Sequence, residues 1–173
     1  PSGRILFLVD PSQRLGSVAR FWPVVGNFPL DRFQASRIEG DEDSLKVINT
    51  SHGLKTTVEI RLPDQDTPAE LWEVTVENLT DEARSLKVIP YLEWVLNGGI
   101  HDRFHTQYAR LFPEMEYVSE ANAILAWHKG TKAMGILAAD LPPEGSSDPP
   151  SFSGRAFGLR SCHGISKCSI TFT

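Results

Sequence analysis

A chain of 173 residues, 40% hydrophobic and 23% charged, is long enough to bury about two-thirds of its unfolded surface, and one domain is the default. Its 17 basic and 22 acidic residues mix along the sequence to a formal net charge of -5, leaving no basic footprint for phosphate neutralisation and arguing against nucleic acid as a partner. No apolar run approaches the roughly 20 residues of a membrane-spanning helix, and the run at 5–9 is too short for a signal peptide, so no membrane contact is expected.

In chain order, Ile5 to Asp10 reads as a short apolar strand that stops at Pro11, so close to the first residue that the chain looks cut from something longer. Phe21-Trp22-Pro23 opens a segment rich in proline, glycine and aromatics that ends at Pro29, an edge strand or loop because proline cannot donate to a ladder. Alternation predicts a strand over 33–38, followed by the acidic turn Gly40-Asp41-Glu42-Asp43. Residues 45–50 and 54–62 read as a hairpin-like pair bending near Gly53. The most regular stretch is 71–96, where Trp72, Val74 and Val76 alternate with Glu73, Thr75 and Glu77. After a polar reversal at 78–84 the alternation resumes through Leu86 and Val88 towards Tyr91, Glu93 and Val95. That pattern predicts two antiparallel strands joined as a hairpin, with one face in a core and the other wet.

Beyond it, residues 97–108 are the least regular part, and they concentrate His101, Asp102, Arg103, His105 and Tyr108 behind two glycines. Three more short strands are expected over 109–117, 123–128 and 133–139. The stretch 141–150 reads as a linker that forms no packed element, and the tail from 161 ends in an alternating run whose pairing is left open. Cys162 and Cys168 are too few to make a disulfide framework, and reduced thiols are the favoured reading. Many short strands and hardly any amphipathic helix give the fold class: all-β, a large antiparallel sandwich over residues 1–160.

The succession Trp22-Pro23, then residues 69–80, then Arg84-Ser85-Leu86-Lys87-Val88, then Tyr91-Leu92-Glu93-Trp94-Val95-Leu96 resembles the N-terminal β-sandwich of sugar phosphorylases in glycoside hydrolase family 94. It is similar as well to the matching domain of cyclic β-1,2-glucan synthases. Glu116-Tyr117, the run 123–126 and Ser151-Phe152 with Gly154-Arg155-Ala156-Phe157 keep the same order. The resemblance implies a supersandwich of the galactose mutarotase-like kind. It also implies a catalytic acid in a separate helical (α/α) barrel of the parent chain; the location is left open, with the cytoplasmic side of a bacterial cell favoured. The sandwich would pack on that barrel, help form a homodimer and lend loops to a site for β-glucan oligosaccharide.

Weighed from their own chemistry, Glu93 and Glu116 are the acids set in apolar strands, the formal candidates for glycoside chemistry. The plainer reading puts both on a wet face, so no catalytic residue is assigned. His101, Asp102, Arg103, His105 and Tyr108 suit sugar hydroxyls or phosphate oxygens, although a solvated or interface loop is the default for such a stretch. Two histidines and an aspartate also permit a metal, but the spacing lacks the cysteines or third histidine of usual zinc sites, and neither metal nor cofactor is assigned. Trp22, in its proline-rich loop, is the better aromatic platform for a pyranose, whereas Trp72 and Trp94 are expected in the core. Arg155 and Arg160, near glycines, suit contact with an anion, although surface arginines need no such explanation. Three functions follow: an accessory carbohydrate-binding sandwich, a structural interface module, or a small mutarotase-type sugar epimerase using a His and a Glu.

Overall fold

In the computed structural model the described residues are 4–25, 35–64, 66–100, 103–105 and 112–140, together with the backbone of 143–146, 157–159, 162–163 and 167–172. The strands are β1 (Arg4–Leu15), β2 (Val18–Val25), β3 (Ala35–Gly40), β4 (Ser44–Ser51), β5 (Leu54–Arg61), β6 (Leu71–Asn78), β7 (Ser85–Leu92), β8 (Pro113–Val118), β9 (Ala123–His128), β10 (Met134–Ala138), β11 (Pro143–Ser146), β12 (Phe157–Leu159), β13 (Cys162–His163) and β14 (Lys167–Phe172). They form a five-stranded sheet in the order β14-β6-β5-β4-β3, a four-stranded sheet in the order β13-β7-β1-β2, a three-stranded sheet β10-β9-β8 and the pair β11-β12. Every pairing is antiparallel. The all-β sandwich expected from the pattern is the fold observed.

Alternation fixes which face each strand buries. On the five-stranded sheet Val47, Val58 and Val74 lie in one cross-strand row and Thr56 and Val76 in the next, with Val58 and Val74 fully buried. On the four-stranded sheet Leu8 faces both Val88 and Trp22. Leu6, Leu8, Trp22, Val24, Leu86 and Val88 from one sheet and Leu54, Val58, Val74 and Val76 from the other make one cluster, so the core is the seam between two layers. Each such side chain contributes about 1.5–3 kcal/mol on burial. The opposite face of the five-stranded sheet is polar: Lys46 stands 3.4 Å from Glu59, Lys55 3.5 Å from Glu77 and Arg61 3.2 Å from Glu73. Such exposed pairs stabilise by only about 0–1 kcal/mol each and chiefly keep the face wet.

Three features differ from the expectations, and a fourth fills in what they left open. β6 and β7 are not a hairpin: β6 pairs with β5 and β14, while β7 pairs with β1 and β13. The link 79–84 therefore crosses between layers, which lets both strands bury one face in the same seam. β1 does not stop at Pro11. A register shift between Asp10 and Arg14 accommodates the proline, and the Asp10 carboxylate accepts from the backbone N–H groups of Ser12 (2.9 Å) and Gln13 (3.3 Å) to hold the bulge. Part of the expected linker is a strand, since β11 pairs with β12. The tail also pairs, β13 on β7 and β14 on β6.

Candidate functional site

The segment after β7 runs across the three-stranded sheet and carries the candidate residues. The Trp94 ring approaches β10 closely at Gly135, in the space an added Cβ would take. A glycine is required there for close approach rather than for an unusual dihedral. The Leu96 carbonyl accepts from the Thr131 hydroxyl at 2.8 Å, which ties the start of the segment to the β9–β10 turn. Just before it, the half-buried Glu93 accepts from the Tyr91 hydroxyl at 2.8 Å. Glu116 stands exposed on β8.

Gly98, at a φ of 79°, turns the chain, and Gly99, Ile100 and 103–105 then adopt helical backbone instead of an irregular loop. Arg103 and His105 are exposed. At about 100° per residue, positions two apart on a helix point about 200° from each other, so this pair does not close on one ligand oxygen. Phe104 between them is 73% exposed and Ile100 75% exposed. His101, Asp102, Tyr108, Arg155 and Arg160 lie outside the described residues. Among the described residues no group of three or more His, Cys, Asp or Glu is placed to hold a metal ion.

Trp22 is corrected as a platform. At 2% exposure it offers no open face to a sugar, and its ring packs 4.6 Å from the His52 ring inside the seam. Proline at position 23 misled the reading, because β2 is an edge strand whose inward residues are still core. Trp72 is packed against the core, as expected, with its Nε1–H donating to Glu70 at 3.1 Å. Trp127 stands part-exposed on β9, in register with Glu114 and Met134.

Two polar arrangements were not read from the sequence. His128, 6% exposed, accepts at Nδ1 from the backbone N–H groups of Gly130 and Thr131, each at 3.1 Å, so the ring proton is on Nε2. The other joins the two layers. Asp10 is fully buried, and its second carboxylate oxygen accepts from Arg84 Nε at 3.0 Å and from Arg84 Nη2. Arg84 Nη1 reaches the carbonyl of His52, in the β4–β5 turn of the other sheet. Burial pushes the Asp10 carboxyl up, but hydrogen bonds from Ser12 and Arg84 and the guanidinium charge outweigh it and hold the group below its ordinary value. Only the order Asp10-Pro11-Ser12-Gln13 within β1 and an arginine within a turn could have signalled this clasp.

The profile of the glycosyl hydrolase 94 supersandwich domain matches residues 2–161. No curated protein matches the chain by sequence. Among solved structures, the chain is similar to one described as a kojibiose phosphorylase from the human microbiome, with a TM-score of 0.51 and 10% identity. The match covers 99% of this chain and 22% of that one, so this chain spans about a fifth of its neighbour's length. At that identity the likeness is one of fold.

Proposed function

Because the chain belongs to the glycosyl hydrolase 94 supersandwich-domain family, we propose that it is an accessory sandwich of a larger glycoside phosphorylase or cyclic β-1,2-glucan synthase, placing β-glucan oligosaccharide beside catalytic groups elsewhere in the parent. The parent's helical (α/α) barrel supplies the acid in this reading. A single observation carries the sugar-positioning part: Arg103 stands exposed on a helical piece whose approach is held by Trp94 on Gly135 and by Thr131 on Leu96. A guanidinium so placed offers paired donors to phosphate or to vicinal hydroxyls.

Titration calorimetry with β-1,2- and β-1,4-gluco-oligosaccharides, with and without inorganic phosphate, tests it. Binding of one linkage is expected, weakened about tenfold in Arg103→Ala, as for loss of one charge-assisted contact of about 1.5 kcal/mol. No heat with either series would overturn the sugar role. A structural interface module would then lead, a reading favoured by Ile100 and Phe104, both exposed beside Arg103.

A further inference from the structure

The β9–β10 turn is built around the ring of His128, the last residue of β9. Nδ1 accepts from the N–H groups of Gly130 and Thr131, each at 3.1 Å, while the His128 carbonyl accepts from Lys132 N–H and His128 N–H donates to the Ala133 carbonyl, both at 3.0 Å. Gly130 comes so close to the ring that an added Cβ would lie 3.2 Å from Cε1. Thr131 carries this order across to the candidate segment. Its hydroxyl donates to the Leu96 carbonyl at 2.8 Å and accepts from Ala133 N–H at 3.3 Å, so the residue that the ring orients is the one that grips the start of that segment.

A ring in this setting serves the turn only while it is neutral. Imidazolium carries a proton on each nitrogen, and Nδ1 here already faces two N–H donors. Nε2 is buried with no hydrogen-bond partner among the described residues, and the ring packs against Phe112 at a centroid distance of 5.7 Å. Both N–H groups of the cation would therefore stand without an acceptor in a site only 6% exposed. Neighbouring charge does not offset this. Glu114 lies in register with Trp127, on the opposite face of β9 from His128, and is paired with Lys129. Lys132 is exposed on the turn, and β10 and residues 94–98 carry no ionisable side chain.

We propose that His128 is a positioning residue that latches the candidate segment at neutral pH and releases it on taking a proton from solvent. A proton on Nδ1 expels the Gly130 and Thr131 N–H groups, the turn opens, and the Thr131 hydroxyl leaves the Leu96 carbonyl. The chain beyond Leu96 then has Trp94 on Gly135 as its anchor and moves more freely. That motion bears on oligosaccharide only if the sugar-positioning reading holds, whereas the latch itself needs no saccharide and is tested without one.

Nitrogen-15 NMR of the 173-residue chain from about pH 8 to about pH 5, the span in which an ordinary imidazole titrates, reads the ring and the turn together. At the upper end the His128 ring is expected as the Nε2–H tautomer. As it takes a proton, exchange protection of the Gly130 and Thr131 amides falls about tenfold, as for loss of an ordinary hydrogen bond, while the amides of β5 and β6 keep theirs. The order parameters of Gly98 and Gly99 fall with the same midpoint. His128→Asn supplies a carboxamide oxygen that accepts at every pH, so protection persists across the range. His128→Phe fills the site without an acceptor, so protection is low across it. A ring in the other tautomer, a ring that takes no proton while the chain stays folded, protection that does not follow the ring, or a His128→Asn chain with the parent's pH dependence would each overturn the proposal.

Discussion

At the scale of single residues, the Asp10–Arg84 clasp is the interaction whose loss is hardest to accommodate. Both side chains are nearly or fully buried, and Arg84 also satisfies a carbonyl in the opposite layer. Attraction between two such charges repays their desolvation only while both are present. Arg84→Met leaves the carboxylate buried and unpaired, and a loss of about 3–5 kcal/mol is expected in urea unfolding at neutral pH. The pH dependence gives the sign. The folded-state pKa of Asp10 is depressed, so its contribution is present above the unfolded value of about 3.9 and is lost as pH falls through the lower folded value. The gap between the parent chain and Arg84→Met therefore narrows on acidification below about pH 4. A gap that stays constant from neutral to acid pH would show that Arg84 acts by packing alone.

At the scale of elements, Trp94 and Gly135 show what holds the candidate segment to the sheet. The ring occupies the space a Cβ would take. Gly135→Ala must displace either the indole or β10, and overpacking of this kind costs about 1–3 kcal/mol. In a double-mutant cycle with Trp94→Ala the two costs are expected to be non-additive by at least about 0.5 kcal/mol. Additive losses in thermal unfolding would mean that ring and strand do not share that space. The same pair marks the limit of what periodicity reveals. Alternation located β4 to β10 because their inward residues are β-branched or large, as at Val58 and Val74. It assigned β6 and β7 to one hairpin because a polar reversal reads alike whether it returns to the same sheet or crosses to the facing one. What distinguishes the two is Arg84, whose partners Asp10 and His52 are distant in sequence. The candidate site was legible only as a composition. That Arg103 and His105 diverge follows from helical backbone at 103–105, which two glycines and an Ile did not announce.

At the scale of the whole molecule, the sandwich is closed by its last strand. The family profile ends at residue 161, yet β14 pairs with six of the eight residues of β6, from Lys167 opposite Glu77 to Phe172 opposite Trp72. Without β14 the buried strand bearing Val74 and Val76 would itself become the edge of the five-stranded sheet, with its outward peptide groups open to water or to another chain. Six cross-strand positions at about 0.2–1 kcal/mol each lead to an expected loss of about 1–6 kcal/mol when residues 164–173 are removed, which leaves β13 in place. Hydrogen exchange gives the sharper reading. The amides of β6 that face β14 should lose protection in the truncated chain while those facing β5 keep theirs, an alternation along 71–78 that general destabilisation would not produce. Uniform loss along β6 would mean that removing the tail loosens the sheet as a whole. Unchanged protection would mean that β6 is an adequate edge without it, and that the seam between Val58, Val74, Leu8 and Val88 sustains the two layers unaided.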